Sequence, residues 1–347
     1  MIEPPNLSTV LLMAAINQAY AISPQSLTFL PIGNDATAAL FRVDAADGTY
    51  LCKLKRGPVE PASLTVPHHL YQQAMTAVVA PLPTLTGQLA TPCRDFTLIL
   101  YPLIMGETGM TVGLSPAQWR NFGRLLRQLH DTVLPADLAQ QLPCESFTLR
   151  WQETLLTLDQ RIHDLHRADP VAQDLAVLWR VRRAEIWRIV ERTVTLGQQL
   201  QAAPPPLVLC HADIHTANLL VDPEGALHIV DWDGVMLAPK ERDLMFVTVR
   251  AKVQHPHEQA FFAGYGRSDI NPIAFAYYRY EWVVQEFADC GRRILLMDDV
   301  GERTRAAALD DFRQLFAPGD VVDVAYGTED ALGSQKGGGC HRREIYS

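Results

Sequence analysis

Three polar side chains in one short stretch of the chain have the types and spacing that phosphoryl transfer needs. Asp213 is followed five residues later by Asn218, and Asp231 comes after two strand-like runs that are joined by a turn. In this chemistry one carboxylate orients the attacking hydroxyl, while an amide oxygen and a second carboxylate hold the magnesium that bridges the nucleotide phosphates. The pattern predicts Asp213 as the catalytic base, Asn218 and Asp231 as metal ligands, and ATP and Mg²⁺ as cofactors.

Further polar residues surround these three. We interpret His211 as a brace for the loop that carries Asp213, and Asp243 as a helix-terminal carboxylate that supports the same loop. Asp233 is a candidate for metal assistance or substrate contact, with capping of the next turn as the alternative. His211, Asp213 and His215 also leave a metallohydrolase open, because His and Asp at short spacing suit zinc or iron. No third ligand cluster of similar spacing accompanies them.

A lysine near the N-terminus is the candidate for phosphate binding. Alternation along residues 50–55 brings Lys53 toward a cleft, where its compact ammonium group can meet nucleotide phosphates as a point charge. The alternative is that Lys53 and Lys55 are both solvent-facing charges on an edge strand. The chain contains only five lysines, so two in one strand are notable.

A carboxylate partner for Lys53 is expected from the next helix. Glu60 is the only acidic residue between Lys53 and Asp95, which makes it the sole local candidate. Prolines flank it on both sides, and Pro67 is expected to interrupt the helix that follows. Residues 33–35, Gly-Asn-Asp, are compatible with a turn that covers the phosphates and equally with an ordinary hairpin turn.

A mixed aromatic and acidic segment over residues 277–289 is a candidate substrate surface. Glu281 and Gln285, together with Asp233, are the residues we assign to substrate contact. Tyr278 and Trp282 share helical spacing with Gln285, so this face can hold an aminated, hydroxylated ligand by hydrogen bonds and cation–π contact. Packing of an aromatic stripe into the core is the more frequent role of such a pattern.

Two regions of the chain with different periodicity must position these residues. Residues 1–102 are rich in short strand signals, including a hairpin at Asp47-Gly48, and Pro102 prevents a central strand from continuing. From the Ser115 cap onward the pattern is helical, and the second lobe is expected to cover 103–332. The tail 333–347, with three consecutive glycines, has no periodicity and is predicted to be disordered.

The composition excludes several classes of function. With 48% hydrophobic and 20% charged residues, the chain resembles an ordinary soluble globular protein, and its formal charge of −9 argues against nucleic-acid binding. The six cysteines show no metal-ligand spacing, and no lysine or arginine precedes Arg42, so a reduced, cytoplasmic protein without a secretion signal or membrane span is expected. No G-x-x-x-x-G-K-[ST] motif occurs, which rules out a P-loop kinase.

The order of these pieces resembles the aminoglycoside phosphotransferase and choline-kinase-like branch of the protein-kinase fold. Asp231-Trp232-Asp233 stands where protein kinases carry Asp-Phe-Gly. The segments 210–215 (CHADIH) and 236–246 (MLAPKERDLMF), the strand 50–55 and the helix at 277–279 are similar to those of the spectinomycin-phosphorylating members of the family.

This resemblance implies an α+β bilobal protein kinase-like fold, with a small antiparallel β-rich N-lobe and a larger, mainly helical C-lobe. It implies MgATP-dependent phosphorylation of a hydroxyl on a small cationic substrate, an aminoglycoside or aminocyclitol antibiotic such as spectinomycin. The adenine would lie against the connector from Leu100 to Leu103. A kinase of another amino alcohol, choline-like or an amino sugar, and a catalytically silent nucleotide-binding module remain alternatives. The oligomeric state is left open.

Overall fold

The N-terminal part of the chain folds into a five-stranded antiparallel sheet. The structure is a computed structural model that describes residues 3–33, 35–165, 169–247, 256–267, 269–298 and 300–328. The sheet has the strand order β1-β2-β3-β5-β4. Its strands are β1 (Pro24–Leu30), β2 (Ala38–Ala45), β3 (Gly48–Arg56), β4 (Thr91–Cys93) and β5 (Phe96–Pro102). The predicted hairpin is present, since Ala45 pairs with Gly48 across a two-residue turn.

The two faces of this sheet have different environments. One face packs on helix α1 (Thr9–Tyr20), where Leu12 and Ile16 of the helix contact buried strand residues that include Cys52 and Leu100. Because side chains alternate along a strand, Lys53 lies on the opposite face. The sheet therefore separates an apolar core from a face that can carry polar chemistry.

Helix α2 (Ala62–Gln72) follows the sheet and continues through Pro67. The expectation that Pro67 would interrupt this helix is wrong. Ala62, Val66 and Leu70 recur at four-residue spacing and are buried against the C-terminal half of the molecule. This burial outweighs the backbone hydrogen bond that a proline removes.

The C-terminal part is mainly helical. Its long central helices are α7 and α10, which pack on each other and bury aromatic side chains such as Trp179 and Tyr277. The helices are α3 (Gly109–Val112), α4 (Pro116–His130), α5 (Ala136–Ala139), α6 (Gln152–His163), α7 (Pro170–Ala202), α8 (Glu241–Leu244), α9 (Pro256–Tyr265), α10 (Pro272–Leu295), α11 (Glu302–Gln314) and α12 (Val321–Gly327). As predicted, Ser115 caps α4, with Gln118 completing a capping box.

Two small antiparallel sheets accompany these helices. One has the order β6-β8-β9 and the other pairs β7 with β10. Their strands are β6 (Glu107–Thr108), β7 (Val208–Cys210), β8 (Leu219–Val221), β9 (Leu227–Ile229) and β10 (Met236–Ala238). The loops that leave β7 and β9 carry the residues singled out for chemistry.

The architecture is α+β, with a β-rich N-terminal part and a helical C-terminal part, as expected. β5 ends at Pro102, the residue proposed to end the first lobe. The predicted disordered tail lies outside the described residues. Among the helices that the structure describes, none combines the length and the apolar character needed to cross a lipid bilayer.

Candidate active site

The β8–β9 hairpin brings the two candidate metal ligands to the same end. Leu219 pairs with Ile229, and the Val230 N–H donates to the carbonyl oxygen of Asn218 at 3.1 Å. Asp231 then follows with φ of +61°, in the left-handed region that a non-glycine residue adopts only at a cost. Thirteen residues apart in sequence, Asn218 and Asp231 thus leave the same end of the hairpin.

Asp213 and Asn218 are in direct contact. The Asn218 Nδ2 donates to the Asp213 carbonyl oxygen at 2.8 Å and to Oδ2 of its carboxylate at 3.1 Å. Because a carbonyl oxygen can only accept, the first bond fixes the orientation of the amide. Its Oδ1 is therefore the atom that remains for a cation, which fits the predicted role of a magnesium ligand.

The carboxyl group of Asp213 has an unusual pKa. Burial, the largest influence, and the nearby Asp231 raise the pKa of Asp213, while His211 and Arg242 act in the opposite direction, and the resulting pKa is about 6. A carboxylate with this pKa is ionised at neutral pH and is a stronger base than an ordinary aspartate. A raised pKa of this kind is compatible with the predicted role of Asp213 as a base.

Asp243 anchors the loop that carries Asp213. Its Oδ2 accepts from the backbone N–H of His211 at 3.0 Å and its Oδ1 from that of Ala212 at 2.7 Å. Ala212 has φ of +68°, so these bonds hold a strained backbone in place. Asp243 lies in α8 and is fully buried. Its two hydrogen bonds connect α8 to the loop that carries Asp213.

His211 uses both ring nitrogens for the backbone. Its Nδ1 accepts from the Asp213 N–H at 3.3 Å, so Nε2 carries the proton and donates to the Val230 carbonyl oxygen at 3.0 Å. The ring thereby ties the Asp213 loop to the segment before Asp231. Neither nitrogen is left to bind zinc or iron, which removes the ligand set on which the metallohydrolase alternative depended.

One other group of potential metal ligands occurs in the described part of the chain. His130, Cys210 and Asp243 offer ligand atoms within 4.8 Å of one another, all buried. The His130 Nε2 is already hydrogen-bonded to Asp243 Oδ2 at 3.0 Å. Burial raises the pKa of the Cys210 thiol well above its ordinary value, which disfavours the thiolate that metals bind. We interpret the group as structural.

Lys53 lies on the sheet face opposite α1, which we call the cleft face. It contacts the two carboxylates that follow β9. Its Nζ donates to Asp233 Oδ1 at 2.9 Å and to Asp231 Oδ1 at 3.0 Å. Burial would lower the pKa of Lys53, but the two carboxylates outweigh it and the pKa rises. The ammonium group is therefore charged, and it joins the N-terminal sheet to the metal-ligand segment.

The expected pair of Lys53 with Glu60 is not formed. Glu60 lies exposed just before α2, where its backbone carbonyl accepts from Ser63. The prolines that flank Glu60 place it ahead of the helix instead of within it, so it does not occupy the inward-facing helical position that the pairing requires. Lys53 takes its carboxylate partners from 178 and 180 residues further along the chain.

The assignment of Leu100 to nucleotide contact is also wrong. In the β3–β5 register Leu100 pairs with Cys52, and both are fully buried in the core beneath α1. Ile99 pairs with Lys53, so it shares the cleft face. Leu103, half-buried, follows β5 and donates its N–H to the Thr49 carbonyl oxygen at 3.3 Å, at the end of the sheet where the connector leaves.

The structure places the three candidate substrate residues in different environments. Glu281 is buried, and its Oε2 accepts from Arg242 Nη1 at 2.7 Å, so it offers no free carboxylate to a ligand and that assignment is wrong. Arg242 itself is 6% exposed, which makes the pair part of the core. Gln285 is half-buried on α10, and Asp233 remains partly exposed beside Lys53.

An aromatic series connects the Asp213 loop to α10. The ring of His215 packs edge-on against Phe246 at 5.7 Å, and Phe246 packs edge-on against Trp282 at 5.1 Å. The Trp282 Nε1 donates to Glu286 Oε1 at 3.0 Å. Burial and the charge of Asp289 raise the pKa of Glu286 to about 7. Tyr278, from the same predicted face, is fully buried in the core instead.

Sequence reasoning missed His130. Its Nε2 bonds Asp243 and its Nδ1 bonds the Tyr265 hydroxyl at 2.7 Å. His130 therefore positions Asp243, which anchors the loop that carries Asp213. His130 ends α4, and its partners lie 113 and 135 residues away in sequence, so no local pattern could have revealed these contacts. Ile99 was not singled out either, because its position opposite Lys53 follows from the β3–β5 register, which no local pattern reveals.

Comparison with known proteins identifies the family. The model described as the phosphotransferase enzyme family, APH, matches residues 28–283. The chain belongs to this phosphotransferase family. Spectinomycin phosphotransferase APH(9)-Ia, solved in complex with ADP and spectinomycin, is 31% identical to it with a TM-score of 0.82, over 94% of this chain and 99% of that chain. An AMP-bound complex of APH(9)-Ia shows 30% identity and a TM-score of 0.78, over 93% and 99%.

More distant structures share the fold alone. Choline kinase LicA from Streptococcus pneumoniae is 12% identical to this phosphotransferase, with a TM-score of 0.53 over 88% of this chain and 98% of that one. A search of curated proteins found no match. The predicted protein kinase-like fold, the family and the activity class of a small-molecule phosphotransferase are confirmed.

Proposed function

We propose that this phosphotransferase transfers the γ-phosphoryl group of ATP to a hydroxyl of spectinomycin, with Mg²⁺ as the metal. The observation that carries the proposal is the 31% identity to the spectinomycin-bound enzyme over 94% of the chain. The contact between Asp213 and Asn218 at the end of the β8–β9 hairpin supports it. Consumption of ATP is consistent with a cytoplasmic enzyme.

The nucleotide site is built from both parts of the molecule. Lys53 binds phosphate oxygens from the sheet, and the adenine lies along the same face near Ile99 and the connector at Leu103. Asn218 Oδ1 and the Asp231 carboxylate hold the metal, since both are the oxygen ligands that magnesium prefers. When bound, Mg²⁺ neutralises charge on the transferred phosphoryl group.

Asp213 acts on the acceptor. Its carboxylate orients the substrate hydroxyl and takes its proton as the oxygen attacks phosphorus, and the Asn218 amide keeps it in position. Because positioning and charge neutralisation account for most of the catalysis of phosphoryl transfer, no covalent enzyme intermediate is required.

The acceptor binds against α10. Ring contacts lead from His215 beside Asp213 through Phe246 to Trp282, and Gln285 lies on the same helix as Trp282. The formal charge of −9 favours a cationic ligand. Asp233 offers a carboxylate near the phosphate end. Ammonium groups of spectinomycin would meet acidic and aromatic side chains here.

A coupled assay of ADP release tests the proposal. Purified enzyme with MgATP is offered spectinomycin, other aminoglycosides, choline, aminopropanol and amino sugars in separate reactions, and the product is analysed by mass spectrometry. We expect ADP release with spectinomycin and one added phosphate on the product. Faster turnover with choline or another amino alcohol would replace spectinomycin as the substrate. Nucleotide binding without ADP release for any acceptor would indicate a silent binding module.

A further inference from the structure

A second lysine lies at the phosphate end of the cleft. Lys55 is two residues after Lys53 on β3, so both side chains leave the same face of the sheet. The two ammonium groups bind opposite oxygens of one carboxylate: Lys53 Nζ lies 2.9 Å from Asp233 Oδ1, and Lys55 Nζ lies 3.2 Å from Asp233 Oδ2. Any anion that reaches Lys53 at this position is therefore also within reach of Lys55.

Lys55 is held from the other side by the turn between β1 and β2. It forms an ion pair with Oδ2 of Asp35. The other oxygen of Asp35, Oδ1, accepts from the N–H and from the hydroxyl of Thr37, both at 2.7 Å. Burial would raise the pKa of Asp35, but Lys55 and Thr37 lower it to about 2. Asp35 thus links a fixed turn to the ammonium group of Lys55.

The charges of this cluster are arranged to receive an anion once a metal is present. Three carboxylates, Asp35, Asp231 and Asp233, surround two ammonium groups, Lys53 and Lys55, which leaves a net charge of about −1. A divalent cation bound to Asp231 would make the net charge of the cluster positive. The Asp233 carboxylate, which spans the two lysines, marks a position where two phosphate oxygens fit.

We propose that Lys55 is a second phosphate-binding residue, which works with Lys53 on the terminal phosphates of the nucleotide and which Asp35 positions. The inference rests on the proposed function and adds a residue to its nucleotide site. In the structure the Asp233 carboxylate binds both lysines. When the triphosphate binds, its β- and γ-phosphate oxygens take the place of that carboxylate, and Lys55 stays tied to the β1–β2 turn through Asp35.

The test is a comparison of nucleotides that differ in their phosphates. Calorimetry with Mg²⁺ measures binding of AMP, ADP and a non-hydrolysable ATP analogue to the wild-type protein and to Lys55→Met. We expect the variant to bind ADP and the analogue about 10-fold more weakly, because a charge-assisted contact is lost. Affinity for AMP should stay within about 2-fold. In the ADP-release assay, KM for ATP should rise about 10-fold with kcat nearly unchanged, as for uniform binding.

Two further variants separate phosphate binding from a structural role. Lys55→Arg keeps the charge and should recover most of the affinity. Arg56→Met removes a cation from the adjacent position of β3, on the other face, where Arg56 lies over Phe96 at 5.1 Å; nucleotide affinity should not change. If Lys55→Met lost affinity equally for AMP and for the ATP analogue, or lost none for either, the inference would be overturned. Turnover by the wild type would still support the proposed function. Failure of the wild type to bind the analogue would instead overturn the proposed function.

Discussion

Asp213 is subject to opposing influences that together set its chemistry. Burial and the neighbouring Asp231 raise the pKa of its carboxyl group, while His211 and Arg242 limit the rise, so the value stays near 6. The Asp213 side chain is 43% exposed to solvent, which leaves room for an acceptor hydroxyl. The residue thus combines basicity with access, the two properties that a general base needs.

Replacing Asp213 with Asn should separate catalysis from nucleotide binding. We expect kcat to fall by roughly 10²–10⁴-fold, because the acceptor proton loses its base. Nucleotide affinity should be largely unchanged, since the side chain of Asp213 contacts Asn218 and His215 and not Lys53. Steady-state kinetics and calorimetry measure the two effects. Unchanged turnover would remove Asp213 from the proposed role.

Glu286 offers a stability test with a defined sign. Its pKa is raised from 4.5 to about 7 by burial and Asp289, so the native state favours the protonated form. The free energy of unfolding should therefore fall as pH rises from about 4.5 to about 7. Glu286→Gln keeps an acceptor for Trp282 and should be more stable than the wild type at pH 8, by about 1–3 kcal/mol, with little difference at pH 4.

Urea denaturation at both pH values provides the measurement, and Glu302→Gln on α11 is a matched control, because Glu302 lies exposed at the start of its helix. The control should show no comparable gain at pH 8. A Glu286→Gln gain of the same size at pH 4 would contradict the titration of this carboxyl group.

At the scale of elements, the sequence predicted what local spacing determines. Alternation placed Lys53 on the sheet face where it forms ion pairs with Asp231 and Asp233, and the Asp213–Asn218 spacing singled out two side chains that are in direct contact. The errors arose where a distant element decides the outcome. Leu100 is removed from the cleft by the β3–β5 register, and Glu281 is taken into the core by Arg242, 39 residues away. Neither contact leaves a local trace in the sequence.

Helices α4 and α9 approach so closely that glycine is required at their crossing. A Cβ on Gly264 would lie 1.9 Å from the Arg120 carbonyl oxygen, and one on Gly123 would lie 2.1 Å from that of Phe261. Helix α4 ends in His130 and α9 ends in Tyr265, and these two side chains are hydrogen-bonded to each other. The close contact of the helices therefore positions His130, which bonds Asp243. The packing of two remote helices therefore fixes the loop that carries Asp213.

Gly264→Ala should force these helices apart. We expect a loss of about 1–3 kcal/mol in the free energy of unfolding, because a backbone carbonyl cannot move aside as a flexible side chain can. Gly327→Ala at the end of α12 is the matched control: nothing lies within 4 Å of its added Cβ, and stability should stay within about 0.5 kcal/mol. Equal stability of the two variants in urea would contradict the close approach.

At the scale of the whole molecule, the residues proposed to bind the nucleotide also join the two parts of the protein. Lys53 belongs to the N-terminal sheet, whereas Asp231 and Asp233 belong to the segment after β9, and ion pairs of 2.9 and 3.0 Å connect them. In the proposed nucleotide site, the phosphates with their metal would replace these ion pairs by a bridge between the two parts. Binding should therefore stabilise the arrangement of both lobes and not the sheet alone.

Asp231→Asn tests this bridge. In the wild type, Mg²⁺ with ADP should raise the melting temperature more than ADP alone, because the metal links the phosphates to the hairpin. The variant should lose that extra increment, and its affinity for MgADP should fall at least roughly 10-fold through loss of a charged ligand. Asp222→Asn removes one charge from the turn of the same hairpin and keeps the acceptor for the Ala226 N–H, so it should respond like the wild type. If Asp231→Asn kept the full magnesium-dependent increment, the metal would lie elsewhere, and the hairpin would be a scaffold without a part in nucleotide binding.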